Sequence, residues 1–422
     1  MSHYKPYPAY KDSGVKWLGE VPEHWQIRKL KWLASLRSGD FITGESIEED
    51  GPYPVYGGNG LRGYYTSFTH DGVYALVGRQ GALCGNVNYA DGKFWASEHA
   101  VVVSPYVPTA VRWLGELLRA MNLGQYSISS AQPGLAVERI IDLFLPLPPE
   151  DERQIIAKHI VREAASIDAL IEKKTRFIQL LREKRQALIS HAVTKGLDPN
   201  VKMKDSGVKW LGEVPEHWDV KRLKFIANVQ TGIAKGKDNA DKDTIRVPYL
   251  RVANVQDGYL DLDEVATIEV ASSDVARYLL QPGDVLMNEG GDFDKLGRGH
   301  VWQGEIDPCI HQNHVFAVRP HSVLSEWLNT VASSSFAQFY FMGRSKQSTN
   351  LASISSTNLM ELPVPMPSES EQLLTLDKLR SSTSRLDTLL IQTARSITLL
   401  NERRSALITA AVTGQIDLRE AV

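Results

Sequence analysis

The chain has 422 residues, of which 43% are hydrophobic and 23% are charged. This length suffices for two or three domains, each with its own core. Its two cysteines, Cys84 and Cys309, match no metal-ligand spacing, which argues against a disulfide framework and a zinc finger and favours buried thiols. The formal net charge of −3 argues against binding nucleic acid unaided, because phosphate contacts normally require a basic face.

The first thirty residues are rich in Pro and Tyr and carry charges, unlike a signal peptide. No stretch approaches the roughly 20 apolar residues that a membrane span needs. We therefore expect a soluble, cytoplasmic protein.

A repeated motif opens each half of the chain. The segment DSGVKWLGEVPEHW occurs at Asp12–Trp25 and again, letter for letter, at Asp205–Trp218. Similar segments follow, IRKLKWLA at Ile27–Ala34 and VKRLKFIA at Val220–Ala227. Such identity indicates an internal duplication, so the two halves are expected to have the same order of elements.

A second pair of similar segments closes each half. LLREKRQALISHAVTKGLD at Leu180–Asp198 parallels LLNERRSALITAAVTGQID at Leu399–Asp417. Upstream of each lies a stretch rich in Pro and acidic residues, which suits the first turn of a helix and its positive dipole end. We predict two helices that begin near Asp151 and near Glu369.

Apolar residues at steps of three and four predict a coiled-coil seam along the first helix, and the second helix repeats it. The seam positions are Ile160, Ala164, Ile167, Ile171, Ile178, Leu181, Leu188 and Ala192, then Leu379, Thr383, Leu386, Leu390, Ile397, Leu400, Leu407 and Ala411. We expect the two helices to pair antiparallel. A helix from Asp151 to Ala192 is about 60 Å long, which exceeds the roughly 34 to 36 Å of one turn of duplex.

Charged residues interrupt this seam at Lys174, where the second helix has Thr393, and at Arg185, where it has Arg404. They either fix the register or pair with a partner chain, or their long stems reach the edge and leave the charges in water. Further apolar residues lie off the seam, where partner helices or the globular domains would cover them. These residues are Ile155, Leu170, Phe177, Leu180 and Ile189.

Between the shared segments lie two stretches that match each other poorly and are rich in Gly, Tyr, Val and turn pairs, which predicts short strands. We divide the chain into a shared motif (1–25), a first variable domain (26–148), a central helix (149–198), a linker with the repeated motif (199–218), a second variable domain (219–366), a C-terminal helix (367–413) and a tail (414–422). The predicted fold class is α+β, with two mixed α/β domains separated by two long antiparallel coiled-coil helices in a pseudo-twofold repeat.

The two variable domains share a weak pattern of a strand, a Gly-rich loop and a second strand that opens at His99 or His314. Glycine lets a backbone approach a ligand closely, so base or phosphate contacts are expected in these loops. The candidates are Asn59, Arg62, Arg79, Gln80, Asn86 and Asn88 in the first domain, and Asn288, Lys295, Arg298, Gln312 and Asn313 in the second. Arg can pair with guanine and Asn or Gln with adenine. The alternative for each is a solvated or turn-stabilising side chain, and both histidines are expected to be structural, beneath their loops.

Motifs of catalysis are missing from the sequence. It contains no Asn/Asp-Pro-Pro-aromatic run and no G-x-x-x-x-G-K-[ST]. His311 and His314 lie three apart in a strand-like context without an acidic residue nearby in the sequence, which is a poor metal site. We predict no catalytic residue, no metal and no cofactor.

Several segments resemble the specificity subunits of type I restriction-modification systems. They are the opening YPAYKDSGVKWLGEVPEHW (Tyr7–Trp25), its repeat at Asp205, VPYLRVANVQDGYLDLDEV (Val247–Val265) and QPGDVLMNEGG (Gln281–Gly291). The resemblance implies a non-catalytic protein with two target recognition domains that read a bipartite site in double-stranded DNA. It also implies assembly with two modification subunits, which carry the adenine methyltransferase chemistry, and with restriction subunits that act as nuclease and translocase.

A partner that supplies most phosphate contacts would reconcile DNA binding with the acidic net charge. The first variable domain lacks the phrase at Val247–Val265, so the two domains are expected to read unrelated half-sites. Two other classes remain open: a two-headed protein-interaction scaffold, and an enzyme acting alone, which would need a cofactor or an acidic metal cluster.

Overall fold

The computed structural model describes residues 4–106, 110–127, 134–235, 243–291, 293, 296–347 and 352–419. Lys295, one of the candidate DNA contacts, lies outside the described residues. The chain divides into two compact units: unit 1 comprises Met1–Thr175 and Ala394–Val422, and unit 2 comprises Arg176–Thr393. Each unit thus contains one variable region, the start of one long helix and the end of the other.

Eight α-helices occur in the described part of the chain. They are α1 (Val111–Ala120), α2 (Val137–Ile140), α3 (Glu150–Lys195), α4 (Ser272–Tyr278), α5 (Ser325–Ala332), α6 (Ser335–Arg344), α7 (Ser356–Met360) and α8 (Glu369–Val412). The two long helices, α3 and α8, begin within one residue of the starts that the sequence predicts. Both have acidic residues in the first turn, which the helix dipole stabilises. Gly196 and Gly414 follow their ends with φ of 74° and 77°, a conformation that glycine adopts at low cost.

The strands in the described residues of unit 1 form four small sheets. They are β1 (Tyr10–Asp12), β2 (Glu20–Pro22), β3 (Gln26–Lys29), β4 (Ala34–Ser38), β5 (Tyr53–Gly57), β6 (Gly60–Tyr65), β7 (His70–Asp71), β8 (Tyr74–Gly78), β9 (Val87–Ala90), β10 (Lys93–Ala96), β11 (Ala100–Pro105) and β12 (Phe144–Leu147). The sheet orders are β1-β2, β12-β3, β6-β5-β10-β7 and β4-β11-β8-β9.

In the part of unit 2 that the structure describes, the strands form five sheets. They are β13 (Met203–Asp205), β14 (Glu213–Pro215), β15 (Asp219–Arg222), β16 (Ala227–Thr231), β17 (Thr244–Leu250), β18 (Ala266–Ala271), β19 (Val285–Asn288), β20 (Gly290–Gly291), β21 (Gly299–Val301), β22 (Ile310–His311), β23 (Val315–Pro320), β24 (Lys346–Gln347), β25 (Ala352–Ser353) and β26 (Pro363–Met366). Their orders are β13-β14, β15-β26, β16-β23-β19-β21, β18-β17-β22 and β20-β25-β24.

The central sheets of the two units correspond strand for strand. β4-β11-β8-β9 in unit 1 has the same antiparallel order as β16-β23-β19-β21 in unit 2. A parallel pair accompanies each sheet, β10 with β5 and β22 with β17. The central sheets of the two variable regions therefore share one topology despite the poor sequence match.

Each unit has its own hydrophobic core. In unit 1, Trp25, Trp113 and Val101 are buried together with Leu407 and Ala411 of α8. In unit 2, the buried cluster includes Trp218, Trp327, Phe316 and Phe341, with Val193 of α3. Both cysteines are free thiols; Cys309 is buried as expected, but Cys84 is only half-buried. None of the described helices has the length and hydropathy that crossing a membrane requires.

Within each unit, α3 and α8 run antiparallel. In unit 1, Ile160 shares a core with Leu407 and Ala411. In unit 2, Ile189 and Ala192 pack against Leu379. Eight of the predicted seam residues are buried: Ile160, Ile167, Leu181, Ala192, Leu379, Leu386, Leu407 and Ala411. The stripe of apolar side chains thus faces the other helix.

The repeated motif holds the first turn of a long helix through a buried glutamate. In unit 1, Glu152 of α3 accepts hydrogen bonds from Trp25 Nε1 at 3.1 Å and from the Tyr7 hydroxyl, and His24 Nε2 lies 2.8 Å from its second oxygen. Burial and the Glu152 carboxylate raise the pKa of Tyr7, so its hydroxyl stays protonated and donates. We call this set the glutamate clamp.

Unit 2 repeats the glutamate clamp at the first turn of α8. Trp218 Nε1 donates to Glu371 Oε1 at 3.0 Å, and His217 Nε2 lies 3.0 Å from Glu371 Oε2. The Glu371 side chain is 28% exposed, whereas that of Glu152 is 5% exposed. The same motif therefore fixes both long helices, with the deeper carboxylate in unit 1.

Glu152→Ala should lower the free energy of unfolding by about 3 kcal/mol, because it leaves buried donors without an acceptor. Glu371→Ala should cost less, about 1 to 2 kcal/mol, since water reaches that carboxylate. Urea denaturation followed by tryptophan fluorescence would measure both. The exposed Asp151→Ala in the same turn is the matched control; a loss as large as that of Glu152→Ala would contradict this role.

Candidate nucleic-acid interface

Two Gly-rich loops meet in unit 1. The first joins β5 to β6, and the second follows β8. A Cβ atom on Gly78 would lie 2.3 Å from the Gly58 carbonyl oxygen, and one on Gly58 would lie 3.1 Å from the His99 carbonyl oxygen. Only glycine allows this close approach. The contact brings together the loop that carries Asn59 and the loop that carries Arg79 and Gln80, all three exposed. The fourth exposed candidate, Arg62, lies on β6 and not in a loop as expected.

The other two candidates of unit 1 are less accessible. Asn86 is half-buried in the turn that leads into β9, and its carbonyl accepts a hydrogen bond from Gly78 N at 2.8 Å. Asn88 lies on β9 with its Nδ2 atom shielded from solvent and unbonded among the described residues. Arg79 Nη1 donates to Ser38 Oγ at 3.1 Å, which tethers one end of that exposed side chain.

In unit 2, three candidates contact one segment of the chain. Asn288 Nδ2 donates to the Val255 carbonyl at 2.8 Å, and Gln312 Oε1 accepts from Val252 N at 3.4 Å. Arg298 Nε lies 3.9 Å from Asp257 Oδ2. The Asn288 and Gln312 amides are engaged with backbone, which favours the turn-stabilising alternative for these two.

A polar relay that the sequence did not indicate occupies the second loop of unit 2. His314 Nδ1 lies 2.7 Å from Glu289 Oε2, and Asn313 Nδ2 lies 3.3 Å from His314 Nε2. The His314 side chain is 56% exposed, so it is not beneath the loop as expected. Glu289 is not among the candidates predicted from the sequence, because its side chain is neither an amide nor a cation. Its position in a Gly-rich loop is the sequence feature that could have indicated it.

The charged seam positions differ in their contacts. Arg185 donates to Asp387 Oδ1 at 3.0 Å in unit 2, and Arg404 Nε lies 3.3 Å from Asp168 Oδ1 in unit 1. These are equivalent positions of the duplicated helices, so one ion pair occurs twice. Lys174 is half-buried. The duplicated pairs tie α3 to α8 in one register within each unit.

A basic and aromatic surface recurs in both units. Lys29 and Lys31 precede the exposed Trp32 and pair with Asp142, and their hydrogen bonds lower the pKa of that carboxyl. The same arrangement in unit 2 consists of Arg222, Lys224, Phe225 and Glu361. Cations are thus concentrated locally in a chain of net charge −3.

Across the described ranges, no group of three or more His, Cys, Asp and Glu side chains could hold a metal ion. His311 is buried, and its Nδ1 lies 2.7 Å from the Val315 carbonyl oxygen, which places it in the core beside β23.

The chain is similar to known proteins in sequence and in fold. Residues 22–177 match the family model described as the type I restriction modification DNA specificity domain. A solved chain from work on complex assembly and conformational transition of the type I R-M system aligns with 93% of this chain and 98% of its own length, at a TM-score of 0.67 and 15% identity. That likeness shows a shared fold.

Two curated relatives extend the finding. The chain is 44% identical over 155 residues to the type I restriction enzyme EcoprrI specificity subunit of Escherichia coli, which is 36% of this chain and 38% of the relative. It is 24% identical over 308 residues to the EcoKI specificity subunit of E. coli K12, which is 70% of this chain and 63% of the relative. The chain thus covers less than two thirds of each. The predicted resemblance to type I specificity subunits is confirmed.

A double-mutant cycle on Arg185 and Asp387 should give a coupling energy of about 0.2 to 1 kcal/mol, because the side chains are 40% and 45% exposed and water screens the pair. The coupling should weaken as salt rises. Equilibrium denaturation of the wild type, both single variants and the double variant would measure it, with exposed Arg182→Ala as control. A coupling above about 2 kcal/mol that ignores salt would contradict a screened pair.

Proposed function

We propose that this chain is the non-catalytic, DNA-reading specificity subunit of a type I restriction-modification complex. Each unit reads one half of a bipartite site in double-stranded DNA, and the long helices set the spacing and dock two modification subunits. The methyltransferase, nuclease and translocase chemistry belongs to those modification subunits and to the restriction subunits. One observation carries the proposal. The two units have equivalent central sheets, and the loops at the equivalent position of these sheets, after β8 and after β19, carry different side chains.

The unlike loops provide a chemical basis for reading two sequences. After β8, unit 1 presents Arg79 and Gln80, whereas after β19 unit 2 presents Glu289 and Gly290. Cationic, amide and carboxylate side chains recognise different base edges in the major groove. A common scaffold with different readers is what a split, asymmetric site requires.

The elements that repeat in both units, namely the glutamate clamp, the long helices and their Arg–Asp pairs, form a duplicated frame. We call the loops after β8 and β19 the two readers. The frame supports a constant separation between the readers. The glutamate clamp fixes the start of each long helix, and the Arg–Asp pairs fix the register in each unit. Sheets and helices that repeat in both halves are suited to holding the two readers apart, which both half-sites need. The variable loops are suited to recognising different bases.

Exposed apolar residues on the long helices support partner docking. Of the five apolar residues off the seam, Ile189 is buried and Ile155 packs on the core, but Leu170, Phe177 and Leu180 remain exposed. Further exposed residues on α8 are Leu389, Ile391 and Leu399. Ile155 thus packs on the core of unit 1 and Ile189 packs against Leu379 of α8, and partner helices are proposed to cover the exposed residues.

Replacing residues 26–148 with the corresponding segment of another specificity subunit should change one half of the methylated sequence and leave the other half intact. Co-expression with the modification subunits, followed by methylome sequencing, would report both halves in one experiment. A change in both halves, or in neither, would refute modular reading and would favour a protein-interaction scaffold.

Asp substitutions at Leu180 and Leu399, which are 50% and 55% exposed at equivalent helix positions, should weaken assembly with the modification subunits by at least tenfold. A charge in an apolar contact loses its hydration, whereas on a free surface it costs little. Tyr106→Asp, an exposed site off the helices, is the control. Unchanged assembly by analytical ultracentrifugation would remove the long helices from the interface.

A further inference from the structure

Arg79 and Glu289 occupy equivalent backbone positions in the two units. Arg79 follows β8, and its N–H donates to the His99 carbonyl at 2.9 Å; Glu289 N–H donates to the His314 carbonyl at 2.9 Å. The following residue forms an antiparallel β pair in both units: Gln80 pairs with Gly134, and Gly290 pairs with Ser353. The same point of the fold thus carries a cation in unit 1 and an anion in unit 2.

Glu289 lines a cavity of about 480 Å³ that lies within unit 2. The short strands β20, β24 and β25 form part of its wall, with Val252, His314 and Lys346 also lining it. A cavity of this size accommodates the exposed edge of a base pair, and Lys346 supplies a charge suited to a phosphate. Glycine at both residues of β20 leaves the backbone open to close approach.

The hydrogen bonds around His314 orient the Glu289 carboxylate. Asn313 Nδ2 can only donate, so the facing His314 Nε2 accepts, and Nδ1–H is left to donate to Glu289 Oε2. Among the described residues no group donates to Oε1. The Glu289 side chain is 27% exposed, so Oε1 has the capacity to accept a hydrogen bond from a ligand.

A carboxylate selects for one kind of base edge. In the major groove cytosine N4 and adenine N6 are donors, whereas guanine O6 and N7 and thymine O4 are acceptors that a carboxylate repels. An arginine has the opposite preference, because its fork of donors matches guanine O6 and N7. The two equivalent positions therefore favour opposite edges.

We propose that Glu289 is a specificity-determining residue that accepts a hydrogen bond from the amino group of cytosine or adenine in the half-site of unit 2. Arg79 selects guanine at the corresponding place in the half-site of unit 1, and His314 is the positioning residue for Glu289. This inference rests on the proposed function, since it assigns bases within a site that the chain must first be shown to read.

The test is a binding selection on randomised duplexes with the full chain assembled with its modification subunits. The wild type should restrict one position of one half-site to cytosine or adenine, and one position of the other to guanine. Glu289→Ala, which removes the acceptor, should reduce the discrimination at the first position by about 5- to 150-fold and leave the other half-site unchanged. Arg79→Gln should act only on the second position.

Glu264→Ala, at an exposed carboxylate of unit 2 outside the cavity, is the matched control and should leave both half-sites unchanged. His314→Gln provides a second variant, which should broaden the same position as Glu289→Ala. Thermal unfolding verifies that all variants fold. A wild type that selects no split sequence overturns the proposed function. A specific wild type whose preferences survive both Glu289→Ala and His314→Gln overturns only the assignment of Glu289.

Discussion

The rest of the structure depends on one constraint, the carboxylate that the repeated motif binds at the start of each long helix, which is buried in unit 1 and partly exposed in unit 2. Glu152 gathers Tyr7, His24 and Trp25 around one side chain, and Glu371 gathers His217 and Trp218. A buried charge is stable only where donors surround it, so the helix start and the repeated motif hold each other in place. The loops can then differ between the units without moving the frame.

The frame was largely predictable from the sequence, because its signals are local or repeated. Proline and acidic residues indicate the starts of α3 and α8, and the apolar period indicates buried residues such as Ile167 and Leu386. The two variable regions hardly match in sequence, yet the strand, Gly-rich loop and strand pattern identified the equivalent strands β8 and β19. Periodicity and turn chemistry carry this information within a few residues.

The sites were less predictable, since their contacts join distant parts of the chain. No local pattern indicates that Glu152 meets Trp25, or that Asn288 and Gln312 use their amides on the segment from Val252 to Val255. Residue type alone also misdirects. It predicts amides and cations as base contacts and omits Glu289, whose proposed role depends on the cavity it lines.

We propose that the duplicated frame holds the two different readers at a fixed distance along a DNA duplex. The most direct measurement is the affinity of the assembled complex for duplexes that carry both half-sites with the spacer varied one base pair at a time. The account predicts a sharp optimum at one spacer length, with weak binding to either half-site alone. Equal affinity at every spacer length, or full affinity for a single half-site, would contradict it.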